Sequence, residues 1–316
     1  MPGAFAAACI VTPAMLTDGG IETRLIYEDR LDLPEFASFL PLLRDGERAV
    51  LAAIYDSYLA VAAESGLPMQ VGTPTWRAHP ECLARLGLSS PGDLAAVNGK
   101  AVALLQERRR LAGLEDRVFI AGVIGPRRDG YDPAAAPVAE EAADYHRAQA
   151  EVFAGLGVDL LYAPTFAAAG ELRGAAAAMA GTGLDYVLAP VIGEDGALLD
   201  GTGLDDAVAA IDGADHAAPL HYMAGCVHPA RFRRALPSGG PPLHGRLAGL
   251  KANASDLPPE ELDRLDHLDE GVADAFGRAM AALHASHGLR VLGGCCGTNQ
   301  RHIRALARHL RDKSEP

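Results

Sequence analysis

Hydrophobic and polar residues follow two rhythms along this chain. Short apolar runs end in glycine, proline or a polar residue, and between them lie longer stretches with an apolar residue at every third or fourth position. The first rhythm reads as strands buried on both faces, the second as amphipathic helices. Strands are predicted at Ala14–Thr17, Leu67–Val71, Val118–Ile124, Val158–Tyr162, Asp185–Ile192, Pro219–Ala224, Leu247–Ala252 and Arg290–Leu292. Helices are predicted at Glu47–Ser65, Asp93–Ala112, Val138–Leu156, Gly170–Ala180, Leu204–Ile211, Leu262–His287 and His302–Leu310. Between the first strand and the first helix, Ile26–Asp45 is interrupted by proline and reads as an excursion over one end of the sheet. The segments Arg127–Pro137 and Ser238–Pro242 read as loops. Strand and helix alternate as in parallel β/α units, so the expected architecture is an α/β fold, a (β/α)8 TIM barrel, over a single domain 1–316. Its strand ends at Asp18, Thr73, Gly125, Pro164, Pro190, Cys226, Asn253 and Cys295 should ring one mouth, where such barrels carry their sites.

Composition narrows the class. The chain has 316 residues, 49% hydrophobic and 22% charged, as in ordinary globular proteins with a sizeable core. A formal net charge of −13 argues against a nucleic-acid or anionic-membrane partner, since both want a basic patch. Five scattered cysteines do not form a secreted disulfide framework and suit a reducing, cytoplasmic setting. The opening segment is mildly apolar without a basic leader, so neither a signal peptide nor a membrane span is expected.

The candidate chemistry lies near the end of the chain, in RVLGGCCGTNQRHI. Neighbouring side chains on a regular strand point to opposite faces, so Cys295 and Cys296 share a metal only where the backbone leaves the pleat. Gly293, Gly294 and Gly297 provide that freedom. Cys226, in HYMAGCVHP, also ends an apolar run. Three thiolates at the ends of two strands suit a zinc ion with an open fourth position. Other readings stay open at this point: a vicinal disulfide, inert buried thiols, or His228 as a rival ligand beside Cys226. Asp18-Gly19-Gly20 alone reads as a turn. Trp76, the one tryptophan, reads as packing or as an aromatic face for a cationic methyl donor.

Three motifs together, GGCCGTNQRHI, Cys226-x-x-Pro229 and DGGIETRL, resemble the homocysteine S-methyltransferase family. The resemblance runs over essentially the whole chain. It implies a (β/α)8 barrel that binds Zn2+ through Cys226, Cys295 and Cys296. It also implies transfer of a methyl group from a small sulfonium or ammonium donor to a zinc-bound thiol, homocysteine or a related small thiol, as in methionine biosynthesis. By the same resemblance Asp18 helps bind the acceptor, with Gly19, Gly20, Glu22, Thr23 and Asn253 around it. The chain departs from the family at two positions. Pro164 stands where relatives carry a glutamate that grips the ammonium of homocysteine, and Gly225 stands where they carry asparagine. A free-standing enzyme with a small donor is expected. No His-x-His or HExxH points to a zinc hydrolase. The competing class is a metal-free thiol redox sensor using Cys295 and Cys296.

Overall fold

The computed structural model describes residues 3–236, 242–257, 261 and 267–312. Eight parallel strands close on themselves in sequence order, with the first bonded to the last. They are β1 (Met15–Thr17), β2 (Met69–Gly72), β3 (Val118–Val123), β4 (Leu160–Phe166), β5 (Tyr186–Pro190), β6 (His221–Val227), β7 (Leu247–Ala252) and β8 (Val291–Gly294). Around them stand α2 (Arg48–Ser65), α4 (Asp93–Ala112), α5 (Ala139–Leu156), α6 (Ala169–Ala180), α7 (Leu204–Asp212), α9 (Ala273–His287) and α10 (Gln300–Asp312). This is the (β/α)8 barrel expected from the sequence. Three short helices were not: α1 (Ala4–Val11), α3 (Pro80–Arg85) and α8 (Pro229–Ala235). Among the described residues no helix is long and apolar enough to cross a membrane.

Each strand divides its side chains between two cores by the two-residue period. On β3, Val118 and Ile120 face the helices, while Phe119, Ala121 and Val123 join Met15, Leu160, Tyr162, Val187, Ala189, Met223 and Val291 in the lumen. With both faces buried, the strands read as continuous apolar runs. α1 explains the apolar opening of the chain. It closes the amino end of the barrel, where Phe5 packs edge-on against Phe119 with ring centroids 5.5 Å apart.

Three expected boundaries moved. β4 and β6 run past their expected ends, to Phe166 and Val227, and so carry Pro164 and Cys226 within them. The helix expected from Leu262 to His287 begins at Ala273. Residues 262–266 lie outside those described, as does most of the Ser238–Pro242 segment. Just before Ala273 the chain is held against the start of α10: Glu270 O accepts from His302 Nε2 at 2.8 Å, and its carboxylate accepts from Asn299 Nδ2 at 3.1 Å.

His221 lies at the floor of the lumen, 5% exposed, with no partner for Nε2. Burial, helped by Arg246 and Arg290, lowers its pKa from 6.5 to about 3. The folded state therefore resists protonation that the unfolded chain accepts. Its contribution to stability is complete above pH 6.5 and is lost as pH falls from there towards 3. Unfolding free energies measured between pH 7 and 5 should fall more steeply for wild type than for His221→Gln. The difference should approach about 1.4 kcal/mol per pH unit below the imidazole's ordinary pKa. Equal slopes would show that His221 does not titrate this way.

Candidate metal centre and barrel mouth

β6 and β8 are not neighbours; β7 lies between them. At about 4.8 Å per strand, their backbones stand roughly 9.5 Å apart, too far for sulfurs held in regular pleats to meet. Both strands break to close the gap. On β6 the ladder shifts register between Gly225 and Val227, and Cys226 takes φ 55°, a left-handed conformation unusual for a residue with a Cβ. After β8 the chain turns so sharply that a Cβ on Gly294 would lie 2.0 Å from Thr298 Oγ1, while Gly297 takes φ 75°. The result is a thiol cluster. Cys226 Sγ lies 3.1 Å from Cys295 Sγ, and Cys295 Sγ lies 4.0 Å from Cys296 Sγ.

The strand between them ties the breaks together. Asn253 donates to Cys226 O at 3.0 Å, Cys295 N to Ala252 O at 2.7 Å, and Ala254 N to Cys296 O at 3.0 Å. A second bulge on β4 supports the first. Thr165 also has a left-handed backbone, φ 67°, at a register shift between Pro164 and Phe166, and its Oγ1 lies 3.5 Å from Cys226 Sγ. Tyr131, in the loop after β3, lies close to the same three thiols.

Among the described residues no group of three or more His, Cys, Asp or Glu side chains is already arranged as a metal site. The donor set nevertheless fits zinc. Bonds of about 2.3 Å in a tetrahedron put sulfurs about 3.8 Å apart, and the spacings of 3.1 and 4.0 Å fall either side of that. Without metal, the close contact with Cys295 holds the Cys226 thiol below the ordinary thiol range, while Cys295 and Cys296 are pushed above it beside Cys226 and by burial. All five cysteines are free. The closer pair is Cys226 with Cys295, so the adjacent cysteines named for a redox role are the wider pair. His228 is no rival ligand in this arrangement, because its Nδ1 caps α8 by accepting from Ala230 N at 3.3 Å.

The Asp-Gly-Gly motif packs directly on the cysteine turn. Gly20 N donates to Thr298 O and Oγ1, both at 3.1 Å, Gly294 N donates to Asp18 O at 3.1 Å, and Gly297 N donates to Thr23 Oγ1 at 3.4 Å. Gly19 is buried beside Tyr58 and Thr298. Asp18 is 2% exposed; Oδ2 accepts from Gly72 N at 2.8 Å and Oδ1 pairs with Lys251 Nζ. Glu22 accepts from Ser38 Oγ at 2.7 Å, and burial raises its carboxyl pKa against that hydrogen bond. Trp76 Nε1 donates to Pro164 O at 3.4 Å, and the Arg77 guanidinium covers a ring face at 4.1 Å from the centroid. A donor cation at this ring would share it with Arg77.

Lys251, Thr165, Tyr131 and Tyr162 were missed by sequence reasoning. A signal existed for Lys251, one of only three lysines in the chain and the lone charge in the apolar run LAGLKA. Size does not locate this site. A groove of about 330 Å3 lies elsewhere, between α2 and α10, where Arg304 and Arg308 are already paired with Glu64 and Asp274.

The family model for homocysteine S-methyltransferase matches residues 15–310. Among curated protein sequences nothing matches. Among solved structures, the homocysteine methyltransferase MmuM from Escherichia coli is similar in its metallated and oxidised forms. Each has 23% identity and a TM-score of 0.75, over 96% of this chain and 99% of that one. Its apo form is 22% identical with a TM-score of 0.66, over 97% and 99%. That likeness shows the fold.

Thr165 adopts a conformation that glycine takes without penalty, and a left-handed residue with a Cβ gives up about 1–2 kcal/mol. Relief of that strain should offset much of the packing lost in Thr165→Gly, leaving unfolding free energy within about 1 kcal/mol of wild type. Urea denaturation checks this. A loss of about 3 kcal/mol or more would show that the bulge stores no strain.

Proposed function

The chain belongs to the homocysteine S-methyltransferase family, and on that premise we propose a zinc-dependent enzyme that methylates a small thiol, homocysteine or a relative of it. The methyl donor is a small sulfonium or ammonium compound. Cys226, Cys295 and Cys296 would hold the metal, and the observation that carries this reading is the meeting of their sulfurs across β7. A neighbour of the same fold has been solved in metallated, oxidised and apo forms, which supports a metal-dependent, oxidisable thiol centre here. Zinc bound there would supply an electron-rich acceptor sulfur at neutral pH, because it displaces the proton of a thiol with pKa about 8.5 while three thiolate donors keep it a weak Lewis acid.

The remaining work is positioning. Thr165 lies against Cys226 in its bulge, and the loop carrying Tyr131 packs on the β4 bulge through Gly130. Asp18 and Lys251 form the polar layer of the lumen beneath them. In the transfer, the lone pair of the acceptor sulfur forms the new bond to the methyl carbon. The carbon–heteroatom bond of the donor breaks, and its electron pair leaves with the heteroatom, which becomes neutral. The acceptor's proton is lost before this step, so no separate general base is required. Methylating homocysteine in this way yields methionine. Five free cysteines suit a reducing compartment, and we place the protein in the cytoplasm.

The experiment is metal quantitation joined to a donor panel of S-methylmethionine, S-adenosylmethionine and betaine with homocysteine as acceptor. Protein purified under reducing conditions should retain about one zinc per chain. Cys226→Ala, Cys295→Ala and Cys296→Ala should each lose most of the zinc and at least about 100-fold in kcat/KM. Metal-free protein that cycles between thiol and disulfide, and methylates nothing, would favour the redox sensor instead.

A further inference from the structure

The lumen below the thiols holds a charge arrangement that the proposed function leaves unused. Lys251 projects from β7, 14% exposed, on the rung that pairs with Gly225 of β6 and Gly293 of β8. Cys226 and Cys295 therefore lie just above it, about one or two rungs of 3.3 Å along the barrel axis. Among the described residues its only hydrogen-bond partner is Asp18, which takes one of three ammonium protons. Two donors remain. The Tyr162 hydroxyl, 2% exposed and close to Asp18 and the thiols, also has no partner. Space is open beside Lys251, because a Cβ on Gly225 would meet nothing closer than 4.0 Å.

The carboxylates tell the complementary story. Asp18 is already neutralised by Lys251 and bonded to Gly72 N. Glu22 accepts from Ser38, and its burial opposes ionisation. At position 164 proline supplies neither charge nor N–H. The unfilled acceptors at this level, Gln70 Oε1 and Asn253 Oδ1, are neutral amide oxygens. A substrate ammonium here would be desolvated without a counter-charge, which is costly, whereas a carboxylate would find a cation with two free N–H groups.

We infer that Lys251 holds the carboxylate of the acceptor thiol, and that the acceptor's ammonium contributes nothing to its binding. The substrate class is a short ω-mercapto carboxylic acid, with or without an α-amino group. This rests on the thiol-methyltransferase reading of the same site and specifies its acceptor.

Two truncations of homocysteine separate the charges: 4-mercaptobutanoate keeps the carboxylate and 3-mercaptopropylamine keeps the amine. Each is titrated into the zinc-loaded protein, with binding followed by calorimetry and by fluorescence of Trp76, the sole tryptophan. For wild type, 4-mercaptobutanoate should bind within about threefold of homocysteine, and 3-mercaptopropylamine at least about tenfold more weakly. Lys251→Met leaves Asp18 buried without its partner, which destabilises the fold, so the paired variant Lys251→Met with Asp18→Asn is measured as well. It should bind the two truncated thiols within about threefold of each other, while Lys251→Arg should keep the preference for the carboxylate. The inference is overturned if wild type prefers the amine, if homocysteine outbinds 4-mercaptobutanoate by more than about tenfold, or if the preference survives in the paired variant. If no thiol binds the zinc-loaded protein at all, the methyltransferase reading itself falls, and this inference with it.

Discussion

Two strands that do not touch must bring their sulfurs to one point, and much of the barrel's carboxyl end follows from that constraint. Cys226 reaches over β7 only because β6 bulges into a left-handed conformation, and Cys295 only because the chain turns as β8 ends. Each distortion leaves backbone groups that need new partners. Asn253 and Ala252 accept that task on β7, and the Asp-Gly-Gly motif does so from β1. Strain at Cys226 and Thr165 is tolerated because the closed barrel fixes everything around it. The site is thus built from departures from regular structure, inside a frame regular enough to hold them.

Beneath the sulfurs, the ion pair between Lys251 and Asp18 crosses from β7 to β1 and sets the electrostatics of the lumen. It satisfies the aspartate that a substrate ammonium would otherwise use. The same pair leaves a partly free cation on the floor of the site. Proline at 164 and glycine at 225 bring no charge to the mouth, and the glycine brings no side-chain bulk.

Much of this was legible in the chain. The order of strands follows from apolar runs alternating with helical periodicity, and all eight were placed within a few residues. The three cysteines were legible too, because adjacent thiols among glycines have few uses on a strand. Other features left no local trace. The left-handed turns fall on a threonine and a cysteine, without the glycine that normally marks such a backbone. α1 is apolar on nearly every side, so its helical period was hidden, and its role as a plug depends on Phe119 far along the chain. Lys251 could have been read as inward-facing from the two-residue period of β7. Its partner, 233 positions away, could not.

The central claim is that these three sulfurs converge on one metal and leave a place for a fourth. X-ray absorption at the zinc edge tests it most directly. The loaded protein should show three sulfur neighbours at about 2.3 Å and one lighter atom, changing to four sulfurs when a thiol acceptor is added. A first shell dominated by nitrogen and oxygen, or one that does not change with the acceptor, would contradict the account.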